Sequence, residues 1–287
     1  MAEAEDVRKL VKENIGRRVR AGDLEVPVLP HIAQQVLSLI GDPDVSAKAM
    51  VKLIEKDQQL SARLLKVANS PVYAGPIPVT SIQRAVVTVG MRALRDLVFS
   101  IAMGERIFRS KQFLEPMRLV WEHSLAVAAT AQELARIKQV NSDDAFLCGL
   151  LHDIGKSLLL ETLSQISRRS NPPAHYSIPL IEEVMRDYHP TVGALMARAW
   201  NFSDLLYVAI RFHHEYDQAG AAHQMALVVH VADLFARNLG LSSYTSEPEF
   251  DLTQEPAVND LQLNPREISS LLKYLPKTIR GLIHGME

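Results

Sequence analysis

Apolar residues recur at spacings of three and four along this chain, a period that only a helix can gather onto one face. Val7, Leu10, Val11 and Ile15 form the first such stripe, and Ile32, Val36, Leu37, Leu39 and Ile40 the second. Met50, Leu53 and Ile54 follow, then Leu60, Leu64, Leu65 and Val67, then Ile82, Val86 and Val87, then Leu94, Leu97 and Val98. The tail returns to the pattern through Ile268, Leu271, Leu272, Leu275, Ile279 and Leu282. No strand-like alternation competes with these stripes in the first half, so the chain is expected to be all-α.

Proline, glycine and capping residues cut the stripes into separate helices. Pro27-Val28-Leu29-Pro30 forces an extended or turn segment, because proline lacks an amide hydrogen and restricts the residue before it. A helix is expected just after Pro30, ending at Gly41-Asp42-Pro43-Asp44, with Ser46 capping the next. Asn69-Ser70-Pro71 stops a later helix ahead of a loop through Gly75, Pro76 and Pro78, and is read as architectural, packing the first lobe on the second. Thr80 or Ser81 caps the helix that Gly90 then breaks. The charged, proline-containing stretch Lys111 to Pro116 divides two apolar-periodic regions, which predicts two lobes, residues 1–112 and 113–287. A polar loop is expected from Ser242 to Asp260.

At 287 residues the chain has room for two modest cores. Thirty-one basic against thirty-three acidic residues leave a net charge of −2, so no overall field favours nucleic acid or an anionic membrane. Met1 to Val11 is charged and lacks the apolar core of a signal peptide, and no run approaches the ~18 apolar residues of a membrane span. The protein is expected to be neither exported nor membrane-spanning. The single cysteine, Cys148, has no disulfide partner and sits in an apolar stretch, which fits a cytoplasmic location and a role as a small buried hydrophobe.

All but one of the ten histidines lie beyond residue 120. The sharpest signal is Leu150-Leu151-His152-Asp153-Ile154-Gly155-Lys156, an imidazole and a carboxylate side by side at the end of an apolar helix, where both can turn toward one centre. Neutral imidazole with ionised carboxylate suits Fe, Mn, Zn or Ni better than Ca. His123 lies on a helix, His189 precedes Pro190, a good first helical residue, His213 and His214 end the apolar segment Leu205 to Phe212, and Asp233 lies on a later helix. Five helices can thus each bring one or two ligands to a bundle interior. His230, on the face of Asp233, reads as structural support, and His31, His175, His223 and His284 as ordinary histidines. The basic residues Arg63, Lys66, Arg84, Arg92 and Arg95 read as solvated helix faces by default, the alternative being the lining of an anionic ligand or partner surface.

The order His123, His152-Asp153, Asp233 resembles the HD superfamily of metal-dependent phosphohydrolases. His189 with Pro190 and Gly193, and His213-His214-Glu215, look like the extra ligands of its HD-GYP branch. That resemblance implies two divalent metals bridged by Asp153: one held with His123, His152 and Asp233, the other with His189, His213 and His214. It also implies that Lys156 touches a substrate phosphate, leaving Asp153 and Lys156 as the catalytic candidates. In the first half, Asp57, Leu60, Arg63, Leu64, Leu65, Ala68, Asn69, Ser70 and Tyr73, then Ile82, Ala85, Val86, Val89 and Gly90, resemble the leading signature of the HDOD family. This implies an N-terminal helical lobe packed on an HD-type bundle, over roughly residues 24 to 240.

The chain departs from the HD-GYP branch after Glu215, where Tyr216-Asp217-Gln218-Ala219-Gly220 replaces the Gly-Tyr-Pro turn, which argues against cyclic di-GMP hydrolysis. Leu119 stands where three-metal members carry a glutamate, arguing for two metals at most. Two functional classes follow from the resemblance. The first is a bacterial signal-transduction output module that meets other signalling proteins; the alternative is a metal-dependent phosphohydrolase or phosphodiesterase acting on a nucleotide, a cyclic dinucleotide or another phosphate-containing small molecule.

Overall fold

The expected all-α architecture is what the chain adopts. The computed structural model describes residues 2–40, 47–70, 73, 77–140, 144–169, 175–244 and 250–286, and among these residues there are helices and 3-10 turns and no strand. The first half holds α1 (Ala2–Ala21), α2 (His31–Ile40), α3 (Ala47–Glu55), α4 (Gln58–Ala68), α5 (Ile82–Val89) and α6 (Met91–Arg106). The second holds the long α7 (Leu114–Lys138), α8 (Ala145–Leu151), α9 (Ile154–Arg169), α10 (Ile178–Ala199), α11 (Asp204–Phe212) and α12 (His223–Asn238). Two further helices, α13 (Pro256–Asp260) and α14 (Pro265–Met286), complete the chain. None is long and apolar enough to cross a membrane.

Local chemistry sets these boundaries. The Asp57 carboxylate accepts from the Gln59 and Leu60 amides at 2.9 and 3.1 Å, satisfying two first-turn donors of α4. Ser81 accepts from the Arg84 amide and opens α5. Gly90, at φ 86°, takes the left-handed turn that separates α5 from α6. Asn69 works within the first lobe: its amide donates to the Leu65 and Val79 carbonyls, and its carbonyl accepts from the Val79 amide, so it ties the end of α4 to the far side of the loop.

In the first half α2 and α4 pack on α6, and α3 packs on α4 and α5; in the second α7 packs on α8 and α12, and α10 on α9 and α11. Two glycines permit the closest approaches. A Cβ on Gly149 would lie 2.8 Å from the Ala128 Cα of α7, and one on Gly155 would lie 2.1 Å from the His189 carbonyl oxygen of α10. Contacts also join elements on the two sides of residue 112, among them α6 with α8. Helix α1 packs on α10, where Lys12 meets Glu183 at 2.7 Å and Asp187 at 2.6 Å. Helix α14 packs on both α4 and α7, with Gly285 against Val67.

Several expectations are corrected. Leu10 is 65% exposed and Val87 84% exposed, because α1 turns Val11, Ile15 and Val19 inward and α5 turns Ile82 and Ala85 inward, leaving those two off the buried stripe. Pro190 does not open a helix but lies inside α10, where packing against α9 and α11 outweighs the missing amide hydrogen. The stretch read as a polar loop from Ser242 contains a 3-10 turn at Leu252–Gln254 and then α13, which bury Leu252, Ala257 and Val258. The side chains of Val7, Leu39 and Ile40, the expected stop at Gly41–Asp44, the cap at Ser46, and Pro71, Gly75 and Pro76 lie outside the described residues.

Candidate metal centre

The seven side chains singled out in the sequence converge. His123 stands on α7, His152 and Asp153 in the break between α8 and α9, His189 on α10, His213 and His214 just past α11, and Asp233 on α12. The break at His152-Asp153 lets adjacent side chains share a centre, which successive residues within a helix cannot do.

Asp153 sits in the middle. Its Oδ2 lies 3.4 Å from both His123 Nε2 and His152 Nε2, while its Oδ1 lies 3.2 Å from His189 Nε2 and 3.8 Å from His213 Nε2. Asp233 Oδ1 lies 3.1 Å from His123 Nε2. His189 Nε2 lies 3.1 Å from His213 Nε2 and 3.2 Å from His214 Nε2. Two groups of atoms able to ligate a metal result, His123 with His152 and Asp153, and His189 with His213 and His214.

The outward nitrogens fix the rings. His123 Nδ1 pairs with the Leu241 carbonyl, His152 Nδ1 with Gly149, His189 Nδ1 with Met185 and His213 Nδ1 with Ile210, all at 2.7–2.9 Å. A carbonyl can only accept, so each Nδ1 carries the hydrogen and each Nε2 of a neutral ring points inward as a bare lone pair. His230 donates from Nδ1 to the His213 carbonyl at 2.7 Å and so braces a ligand-bearing backbone, the supporting role its spacing predicted.

Burial sharpens the problem of these lone pairs. His123, His152, Asp153 and His189 are 1% exposed and His213 is fully buried; only His214 reaches the surface. Burial, then the nearby Lys156 charge, holds the His189 pKa well below its usual value, and burial with His214 does the same for His213. His214, although part of its side chain reaches the surface, is desolvated enough by its packed neighbours to be pushed down to about 4. His152 goes the other way: burial lowers its pKa, but the adjacent Asp153 carboxylate outweighs burial and raises it. Asp153 and Asp233 are likewise held low, burial being overcome by the charges of His152 and Lys156 for the first and of His123 for the second.

Neutral His189 and His213 therefore face each other with two acceptors, and Asp153 Oδ1 is buried with no hydrogen-bond donor. Such groups are costly unless something electropositive answers them. Nitrogen and carboxylate donors with their second nitrogens tied to carbonyls are the chemistry of a transition-metal site, and a divalent cation fits this donor set.

Lys156, the residue the resemblance assigns to a substrate phosphate, is buried beside Asp153. It is 2% exposed, its Nζ lies 2.5 Å from Asp153 Oδ2 and donates to Ser243 Oγ at 2.8 Å, and it sits 4.3 Å from the centre of the Tyr244 ring. Ser243 and Tyr244 were not foreseen; nearly ninety residues separate them from Lys156, and no local pattern marks them. Arg237, 3.6 Å from Asp233 Oδ2, was also missed, although its place four residues after Asp233 puts it on the same helical face.

An HDOD domain model matches residues 26–216. The chain belongs to the HDOD family. Asp233 lies beyond the matched residues, yet in space it completes the group around His123. An uncharacterised protein of Treponema pallidum is 30% identical over 205 residues, 68% of this chain, and this chain spans 39% of that protein's length. Among solved structures, an HDOD domain protein of unknown function from Geobacter sulfurreducens superposes with a TM-score of 0.76 at 22% identity, covering 95% of this chain and 97% of its own. A protein from Shewanella amazonensis, proposed to be a metal-dependent phosphohydrolase, does so with the same score and identity over the full length of both chains. At such identities the likeness establishes the HDOD fold.

Proposed function

We propose that this HDOD protein is a regulatory module of bacterial signal transduction that holds two divalent cations, Fe, Mn, Zn or Ni, inside its second lobe. His123, His152, Asp153 and Asp233 would hold one, and Asp153, His189, His213 and His214 the other. The observation that carries this reading is the closed cage: bare imidazole nitrogens and the undonated Asp153 Oδ1 point inward from five helices, and nearly all are shut off from water. Cations there would cross-link the helices and shape the surface shown to partner proteins, so that metal binding adds directly to folding free energy.

Lys156 supports the same reading. Its charge pairs with Asp153 and its head is covered by Ser243 and Tyr244, so it positions the Asp153 carboxylate. A second reading, a metal-dependent phosphohydrolase acting on a nucleotide or cyclic dinucleotide, is favoured by exposed His214, which gives the second group an outlet to solvent. When bound, the metals would polarise a phosphoryl oxygen and supply hydroxide near neutral pH.

Elemental analysis of protein purified without chelator tests the metal claim, with two ions per chain expected; a well-folded chain holding less than one would overturn it. A panel of phosphodiesters and phosphomonoesters then separates the readings. Turnover of ~1 per second or faster, as in ordinary enzymes, would replace the regulatory reading with the enzymatic one.

A further inference from the structure

A cavity of about 920 Å³ opens where the two lobes and α14 meet. Its wall draws on α4 at Arg63, α6 at Gly104, α7 at Trp121, α9 at Glu161 and α14 at Ile283. The volume lies within the roughly 300–1,000 Å³ of pockets that bury small ligands. None of the metal-centre side chains lines it. Trp121 stands two residues before His123, about 200° around the helix, so the cavity and the metal centre use opposite faces of α7.

The floor is aromatic and apolar. Trp121 is half-buried and its ring centre lies 4.9 Å from that of Phe108. Gly104 makes room for it, since a Cβ there would come within 2.8 Å of the indole. Beside it Leu114 is 72% exposed. The rim is cationic, and the pairing of its charges is uneven. Arg63 meets Glu105 at 3.3 Å, Arg118 meets Glu115 and Glu122, and Arg168 meets Glu161 at 3.0 Å. Arg109 and Lys111 line the same cavity, are exposed, and have no acidic partner among the described residues.

An indole platform next to two unanswered cations is complementary to an anion that carries a flat ring, because stacking and charge pairing are then satisfied at once. A fatty acyl chain fits less well: charged side chains stand on several sides of the cavity, and a hydrocarbon tail would strip them of water without replacing it. We propose that this cavity binds a nucleotide, its base against Trp121 and its phosphates at Arg109 and Lys111. The site shares no side chain with the metal centre, and the proposal does not rest on metal being bound there.

The chain has two tryptophans, Trp121 and Trp200, so W200F leaves Trp121 as the sole indole reporter. That variant is titrated with GMP, GTP and cyclic di-GMP, with guanosine and pyrophosphate as the two halves of the ligand and decanoate as the acyl competitor. EDTA is present throughout, which keeps the metal centre from holding phosphate. Saturable quenching by at least one nucleotide with Kd below ~1 mM is expected, with each half at least about tenfold weaker. R109A/K111A should weaken that nucleotide about tenfold or more, the usual effect of losing charged hydrogen bonds. No saturable change with any nucleotide, binding that survives R109A/K111A unchanged, or tighter binding of decanoate would each overturn the proposal. If W200F fails to fold, calorimetry on the unsubstituted chain and on R109A/K111A decides by the same criteria.

Discussion

Replacing Gly155 by alanine tests the cage most directly. The added methyl would begin 2.1 Å from the His189 carbonyl oxygen and 2.6 Å from the Gly193 amide nitrogen, against the 3.4 Å or more of ordinary contact. Both obstacles are backbone, so no side chain can rotate away, and α9 must retreat from α10 by roughly 1 Å. Metal sites tolerate about 0.2 Å in ligand distance, and Asp153 and His189 ride on the two elements being forced apart. Overpacking alone costs about 1–3 kcal/mol, a fall in Tm of very roughly 3–10 °C for a chain of this size. G155A should therefore lose the ion shared by Asp153, His189, His213 and His214, read as metal per chain by elemental analysis beside a thermal melt with and without chelator. G193A is the internal comparison: its nearest obstacle is the Ile210 Cγ2 methyl at 2.6 Å, which can move, so it should lose less on both measures. G155A protein with full metal content and an unchanged Tm would refute the claim that this helix crossing positions the ligands.

Three further outcomes follow from the same geometry. K156M leaves the buried Asp153 carboxylate without its partner, so the chelator-treated protein should lose about 3–5 kcal/mol and the metal-loaded protein clearly less; equal losses in urea melts of the two forms would contradict a metal at Asp153. In the metal-free protein His189 and His213 have pKa values held well below the usual range and His214 lies at about 4, so stability they contribute is complete above their unfolded value of ~6.5 and is lost as pH falls toward 4. His152, raised instead, contributes below ~6.5 and loses that contribution as pH rises through its folded value, so one group opposes three and a Tm that falls from about pH 7 to 5 is expected, a rise being the contrary result. N69A strips the Val79 amide and carbonyl of their partner at a buried residue, and a loss of about 1–3 kcal/mol in denaturant titration is expected, with metal content unchanged.

The helical stripes were legible because period 3.6 is a local property, and the residues of the candidate metal centre were legible because imidazole and carboxylate side chains are few and chemically distinctive. What made them a site was not legible. The Leu241 carbonyl that orients His123 is 118 residues away, and backbone acceptors leave no mark in a sequence. Gly149 and Gly155 read as unremarkable until the backbones they admit are seen. Leu10 and Val87 misled for the opposite reason: a stripe read by spacing alone gives every apolar residue near it the same weight, whereas the helix face is decided by what packs against it. Asn69 was read as joining the two lobes, but its three hydrogen bonds stay inside the first.

Helix α7 is the wall shared by both sites, and its packing determines what can pass between them. On one face it carries His123 and lies so close to α8 that Gly149 touches the Ala128 backbone; on the other it carries Trp121, seated against Gly104 of α6. A wall pinned by backbone contacts on one side and by an indole on the other cannot shift under one ligand without altering the geometry offered to the second. By linkage, whatever factor a bound metal changes in the affinity of the Trp121 cavity is the factor an occupant of that cavity changes in the affinity for metal. For the regulatory function proposed above such a pair of sites would suffice: cations bound in the cage would hold five helices in one arrangement, and an occupant of the cavity, whose wall draws on α4, α6, α7, α9 and α14, would meet that arrangement from the other face of α7.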